Sequence, residues 1–134
     1  MRLWHQKLLP YLPRQQLLGQ HRECCALRGA GWGRRHSVVN YVFAHEPERL
    51  AAYHFLVMDE MARRGYHPDR IWTKPNWRGN KLQEQEGWCS VEKVAELILS
   101  GMSNEMIYEE HNDEYLKECL DNLASKNIII EMED

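Results

Sequence analysis

An all-helical, single-domain fold is what this sequence predicts, on three observations. Four segments place apolar side chains at the three- and four-residue intervals of a helix face. Residues that favour helix ends stand at their borders. The chain's 134 residues suffice for one domain of ordinary size with a single hydrophobic core.

The first helix follows Tyr11-Leu12-Pro13-Arg14. Pro13 suits a first turn and Gly29 and Gly31 suit an end, so about 15 helical residues are expected. Leu17, Leu18, His21, Cys24, Cys25 and Leu27 favour one side. Gln15, Gly19, Arg22, Glu23 and Ala26 gather on another within an arc of roughly 100°, at about 100° per residue. Polar groups with Gly and Ala between them make a face that a large partner can approach. Residues 29–45 read as a basic, glycine-rich loop passing into a short irregular or helical piece. The second helix spans Glu46 to Arg64, with Pro47 near its start, Arg63 and Arg64 in its last turn and Gly65 as its cap. Leu50, Tyr53, His54, Val57, Met58 and Met61 form its core face.

Residues 66–89 lose the helical period and read as a long loop rich in Pro, Trp, Gly and Asn. Long loops in compact domains are more often functional than idle. Ser90 caps a third helix through Val91, Val94, Ala95, Leu97 and Ile98, ended by Gly101. Asn112 caps the last, which runs to the neighbourhood of Lys126 with Tyr115, Leu116, Cys119, Leu120 and Leu123 inward. Ile128-Ile129-Ile130 read as a short extended tail.

No apolar run approaches the roughly 18 residues that span a bilayer. The opening residues lack the apolar stretch and cleavage site of a secretory signal, so the protein is expected in the cytoplasm. Cys24, Cys25, Cys89 and Cys119 are too few for a disulfide framework and read as small buried hydrophobes. His21, Cys24 and Cys25 lack a CxxC pair or second half-site, which speaks against zinc. The net charge of −3 conceals an asymmetry. Residues 1–80 hold 13 Lys and Arg against 6 Asp and Glu, and residues 81–134 hold 4 against 14. A basic N-terminal part favours a polyanion such as nucleic acid; an acidic part that solvates its own surface is the plainer alternative.

One constellation carries chemistry. An N-terminal α-amine has a reference pKa of about 7.7–8.0, so it is partly uncharged at neutral pH and nucleophilic. Such an amine can attack C1′ of a nucleotide, displace the base and form a Schiff base with the opened sugar. The conjugate needs a carboxylate to move protons and to stabilise the cation. Glu23, beside Arg22 on the polar face of the first helix, meets that need.

The run Gln15-Gln16-Leu17-Leu18-Gly19-Gln20-His21-Arg22-Glu23, the opening Met1-Arg2-Leu3-Trp4 and the later Ala62-Arg63-Arg64-Gly65-Tyr66 together resemble the pyrimidine-dimer DNA glycosylase family over roughly residues 1–67. The resemblance implies a compact helical fold with the N-terminus threaded between helices to the active site. It also implies excision of a damaged base from double-stranded DNA, followed by strand cleavage at the abasic site through β-elimination. Carried over by position, the amine of Met1 is the nucleophile, since Arg2 is too bulky for ordinary removal of the initiator, and Glu23 is the catalytic carboxylate. Arg22 and Gln15 hold the DNA beside the lesion, and Arg2 contacts a phosphate. No metal or organic cofactor is implied. Gln16 and Ala26 stand where the pattern has a His and an Arg, which leaves the lesion open.

Trp32 offers a ring to stack on an exposed base, and Arg34, Arg35 and His36 offer contacts to phosphate. Trp72, Trp77 and Arg78 offer a base pocket, against the commoner alternative of packing. The chain is expected to act as a monomer without a membrane. Two rival readings differ in class: a DNA-binding module of this fold without catalysis, and a protein-interaction domain whose acidic part docks a basic partner.

Overall fold

The computed structural model describes residues 2–29 and 40–133. Among them there is no strand, only an isolated bridge between Trp77 and Glu84, and the expected all-α class holds. Helix α1 runs Arg14–Gly29, α2 Asn40–Ala44, α3 Pro47–Arg63, α4 Val91–Met102 and α5 Asp113–Ala124. Short 3-10 helices add Gln6–Tyr11 and Arg70–Thr73. None of the described helices is long and apolar enough to cross a membrane.

α3 is the central element, packed on α1, α4 and the first 3-10 helix. Its expected core face is buried throughout, from Leu50 to Met61. Gly65 follows α3 with φ +87°, a left-handed conformation that costs glycine little. Arg64 turns back from the end of α3 to donate to the carbonyls of Leu12 at 2.7 Å and of Leu9 and Pro10, both at 3.2 Å. Those carbonyls lie at and just beyond the end of the 3-10 helix Gln6–Tyr11, an element absent from the sequence expectation.

α4 departs from expectation at its end. It continues through Gly101 to Met102 and stops at Ser103. A Cβ at position 101 would stand 2.9 Å from Leu56 Cδ1, so this glycine allows α4 to lie close to α3 rather than ending the helix. Ser90 and Asn112 cap α4 and α5 as expected, their side chains accepting from the amides of Lys93 and Tyr115.

The inward side of α1 differs more. Leu17, Gln20, Cys24, Leu27 and Arg28 are buried, while Leu18, His21 and Cys25 are half-buried. Arg28 is wholly inside because the long loop folds around it. Its guanidinium donates to the carbonyls of Trp72 and Trp77 at 2.8 Å, Lys74 at 2.6 Å and Pro75 at 3.3 Å. One side chain thus ties together four carbonyls between residues 72 and 77, of which only that of Trp72 lies in the 3-10 helix Arg70–Thr73. Burial pulls its pKa down to about 10, which still leaves it charged at neutral pH.

Arg28→Lys is expected to cost about 2 kcal/mol or more in urea unfolding, because one ammonium cannot replace a planar fork serving carbonyls on both its terminal nitrogens. Wild-type stability in the Lys variant would contradict this role.

Candidate active site

The first residues lie against α1, α3 and α5 without secondary structure of their own, and Leu3 and Trp4 are buried. Buried backbone groups must find partners, and side chains supply them. Gln20 of α1 uses its whole carboxamide. Its Nε2 donates to the Arg2 carbonyl at 2.9 Å and to Glu23 Oε2 at 3.2 Å. Its Oε1 accepts from the Trp4 amide at 2.6 Å and from the Tyr53 hydroxyl of α3 at 2.8 Å. The same hydroxyl lies 2.6 Å from the Trp4 carbonyl, so its single proton is shared between that carbonyl and Gln20 Oε1. From α5, Tyr115 donates to the Leu3 carbonyl at 2.6 Å. Further along, the Gln6 amide donates to His111 Nδ1 at 3.1 Å, and Gln6 Oε1 accepts from the Ile107 amide at 2.8 Å.

Glu23 receives the end of this segment. Its Oε2 accepts from the Arg2 amide at 3.2 Å. Among the described residues no further hydrogen bond reaches the carboxylate beyond Gln20, so Oε1 is open on a half-buried side chain. On the same face Gln15, Arg22 and Ala26 are exposed, and Arg22 lies along Gly19, where a Cβ would meet its Nη2 at 3.7 Å.

Of the site residues expected from sequence, the structure brings the Arg2 backbone, Glu23 and Arg22 into one neighbourhood and sets Gln15 on the same helix. The Arg2 side chain is engaged elsewhere. Its guanidinium lies 3.5 Å from Glu118 Oε1 and over the rings of Trp4 and Tyr115, about 6 Å from each centroid (5.8 and 5.9 Å). Met1, Trp32, Arg34, Arg35 and His36 lie outside the described residues. Trp77 is buried, Arg28 stacks on Trp72, and Arg78 donates to the Arg28 carbonyl at 2.8 Å and stacks on Trp88. These three candidates for a base pocket are therefore employed in fastening the long loop.

Gln20, Tyr53 and Tyr115 were not singled out from sequence as site residues. A signal existed for Gln20: with Leu17, Cys24 and Leu27 it stands at intervals of three, four and three, a polar residue on the inward stripe.

A second cluster joins α1 to α3. His21, Cys25 and His54 hold their ligand atoms within 4.8 Å of one another, a grouping that uses Cys25 rather than Cys24. Arg28 Nη1 stands 3.0 Å from His54 Nδ1, and a guanidinium can only donate. The neutral His54 ring therefore carries its proton on Nε2 and donates it to His21 Nδ1 at 2.8 Å. The nitrogen that would bind a metal is protonated, the adjacent guanidinium repels a cation, and burial pushes the Cys25 thiol up to about 11. The trio is a hydrogen-bonded packing contact, poorly suited to a metal ion.

Burial also lowers the pKa of His21, of His54 far below its ordinary value, and of His111 to about 3. Each folded value lies below the unfolded reference of about 6.5, so the unfolded chain takes up more protons as pH falls. The stability these rings contribute is complete above that reference and declines below it. The thermal midpoint is expected to drop by roughly 5 °C or more between pH 7.5 and pH 5; a constant or rising midpoint would contradict burial of neutral rings.

The family model described as pyrimidine dimer DNA glycosylase matches residues 1–74, more than half of the 134-residue chain. The chain belongs to that family, which places it among DNA-repair glycosylases and makes DNA its class of substrate. No curated protein and no solved structure matches it.

Proposed function

We propose that the chain excises a damaged base from duplex DNA, a pyrimidine dimer or related modified pyrimidine, and then cleaves the strand through a Schiff base on the Met1 amine. The observation that carries this reading is the 3.2 Å contact between the Arg2 amide and Glu23 Oε2. The Met1 amine is three covalent bonds from that amide, hence within about 4 Å of it. Glu23 Oε1, which accepts no hydrogen bond from the described residues, is assigned as the acceptor for a proton.

In the reaction the uncharged amine attacks C1′, and the N-glycosidic bond breaks with its electron pair leaving on the base, which is then protonated. The ring C1′–O bond opens to an iminium, the sugar oxygen taking a proton. Glu23 removes a proton from C2′, and the electron pair released expels the 3′ phosphate as the C3′–O bond breaks. Water hydrolyses the remaining imine and restores the amine. Metal chemistry has no part in these steps. A nucleotide inside a duplex cannot reach a half-buried carboxylate, so the reaction requires extrusion from the stack.

Gln15 and Arg22 line the exposed face around Glu23 and are assigned to DNA contact. Arg2 contacts a phosphate in this reading by exchanging the exposed Glu118 carboxylate for a phosphate oxygen. Trp32, Arg34, Arg35 and His36 add a stacking ring and basic groups beyond α1. The chain acts as a monomer.

Borohydride should reduce the iminium of an abasic-site duplex and leave a covalent protein–DNA adduct. Glu23→Gln should lower strand cleavage at least about 100-fold with little change in DNA affinity. Protein with a free N-terminus that forms no adduct, or a Glu23→Gln variant that cleaves normally, would overturn the mechanism.

A further inference from the structure

We infer that Gln20, held by Tyr53, is the positioning residue of this site: it sets the Glu23 carboxylate and the N-terminal segment in register with each other. The inference rests on the reading of Glu23 as the catalytic carboxylate and adds a residue to it. Gln20 is almost wholly buried, at 1% exposure. Both its amide hydrogens are donated, and its Oε1 accepts from the Trp4 amide and shares the one Tyr53 hydroxyl proton with the Trp4 carbonyl.

The orientation of the amide follows from its partners. The Trp4 amide can only donate and the Arg2 carbonyl can only accept. Turning the carboxamide over would set two donors against each other at Trp4. It would also set acceptor oxygens against both the Arg2 carbonyl and Glu23. One orientation survives, and in it the amide nitrogen lies between the carbonyl of residue 2 and the catalytic carboxylate. Gln20 therefore fixes Oε2 toward the protein and leaves Oε1 to the substrate. It ties the carboxylate to the same segment that carries the nucleophile, so the two move as one body. Tyr53, from the central helix, supplies the hydroxyl behind Gln20 Oε1.

The surroundings allow this to be read electrostatically. The titratable neighbours of Tyr53 are Cys24, Tyr41, Tyr108, Tyr115, Cys119 and His111; burial pushes the thiols and phenols upward and the His111 imidazole down to about 3, so all are uncharged near neutrality. Arg2 and Arg22 contribute constant positive charge. Gln20→Glu keeps the shape and the acceptor for Trp4 while replacing the donor to Glu23 by a second carboxylate about 3 Å away. Two carboxylates so close repel when both are ionised, yet share a proton readily at lower pH, where the protonated one donates to the other.

The test is single-turnover cleavage of an abasic-site duplex by the full chain across about pH 5.5–8.5. The Gln20→Glu rate, expressed as a fraction of wild type, is expected to fall about tenfold or more at the alkaline end and to recover on acidification. A loss that is merely structural lowers the fraction equally at every pH, and that result, or a fraction of one throughout, overturns the inference. Tyr53→Phe is the second variant and decides alone if Gln20→Glu fails to fold by circular dichroism. It should lower kcat roughly fivefold, the worth of one hydrogen bond, with KM unchanged; an unaltered kcat, or a change confined to KM, overturns the inference. Glu23→Gln run alongside separates the two ideas. If that variant is active the assignment of Glu23 fails, whereas a dead Glu23→Gln with a flat Gln20→Glu ratio removes Gln20 alone.

Discussion

The backbone of Arg2, Leu3 and Trp4 lies inside the protein with neither a strand nor a helix to pair it, and the arrangement of the site follows from how that constraint is met. An amide or carbonyl left unpaired there costs about 1–3 kcal/mol. Three helices therefore each send a side chain: Gln20 from α1, Tyr53 from α3 and Tyr115 from α5. A segment held this way has little freedom to shift along its axis, because each bond is specific to one backbone group. Side chains from three helices anchor this stretch, and the Arg2 amide ends on Glu23.

The same constraint explains why the half of the chain beyond the family match matters to the site. α5 lies outside residues 1–74, yet its Tyr115 holds the Leu3 carbonyl and its Glu118 lies against Arg2. The acidic balance of the last third, which reads poorly as a surface for DNA, has one structural use here in drawing the Arg2 side chain toward α5. Catalysis in this account needs no strong perturbation beyond geometry. On the proposed reading, packing holds the carboxylate beside the segment that leads to the amine, on an exposed face with Arg22 and Gln15, in keeping with the view that most of a rate enhancement comes from preorganised groups.

Much of the fold was legible because helix faces and caps are local. The α3 stripe, the Ser90 and Asn112 caps and the Gly65 end all follow from spacing and residue type. Gly101 misled for a physical reason: a glycine reads as a helix end, but this one answers to Leu56 on another helix, a tertiary contact that sequence does not announce. Gln20 and Arg28 drew no reading of their own from sequence. Polar residues read as exposed, and only the buried carbonyls and amides they serve explain their place inside. The face carrying Gln15, Arg22 and Glu23 was readable from helical periodicity, whereas the contact between Glu23 and the Arg2 amide required the fold. Trp72, Trp77 and Arg78 stood open between a base pocket and the commoner alternative of packing, because aromatic and basic residues serve both, and the loop they fasten favours packing.

The central claim is that the fold delivers the chain's own first amine to Glu23, and the location of the covalent bond to DNA tests it most directly. Trypsin digestion of the borohydride-reduced adduct, followed by mass spectrometry, reads that location. The account predicts the sugar remnant on the α-nitrogen of the Met1-Arg2 fragment. A remnant on the side chain of Lys7 or any other lysine would contradict it.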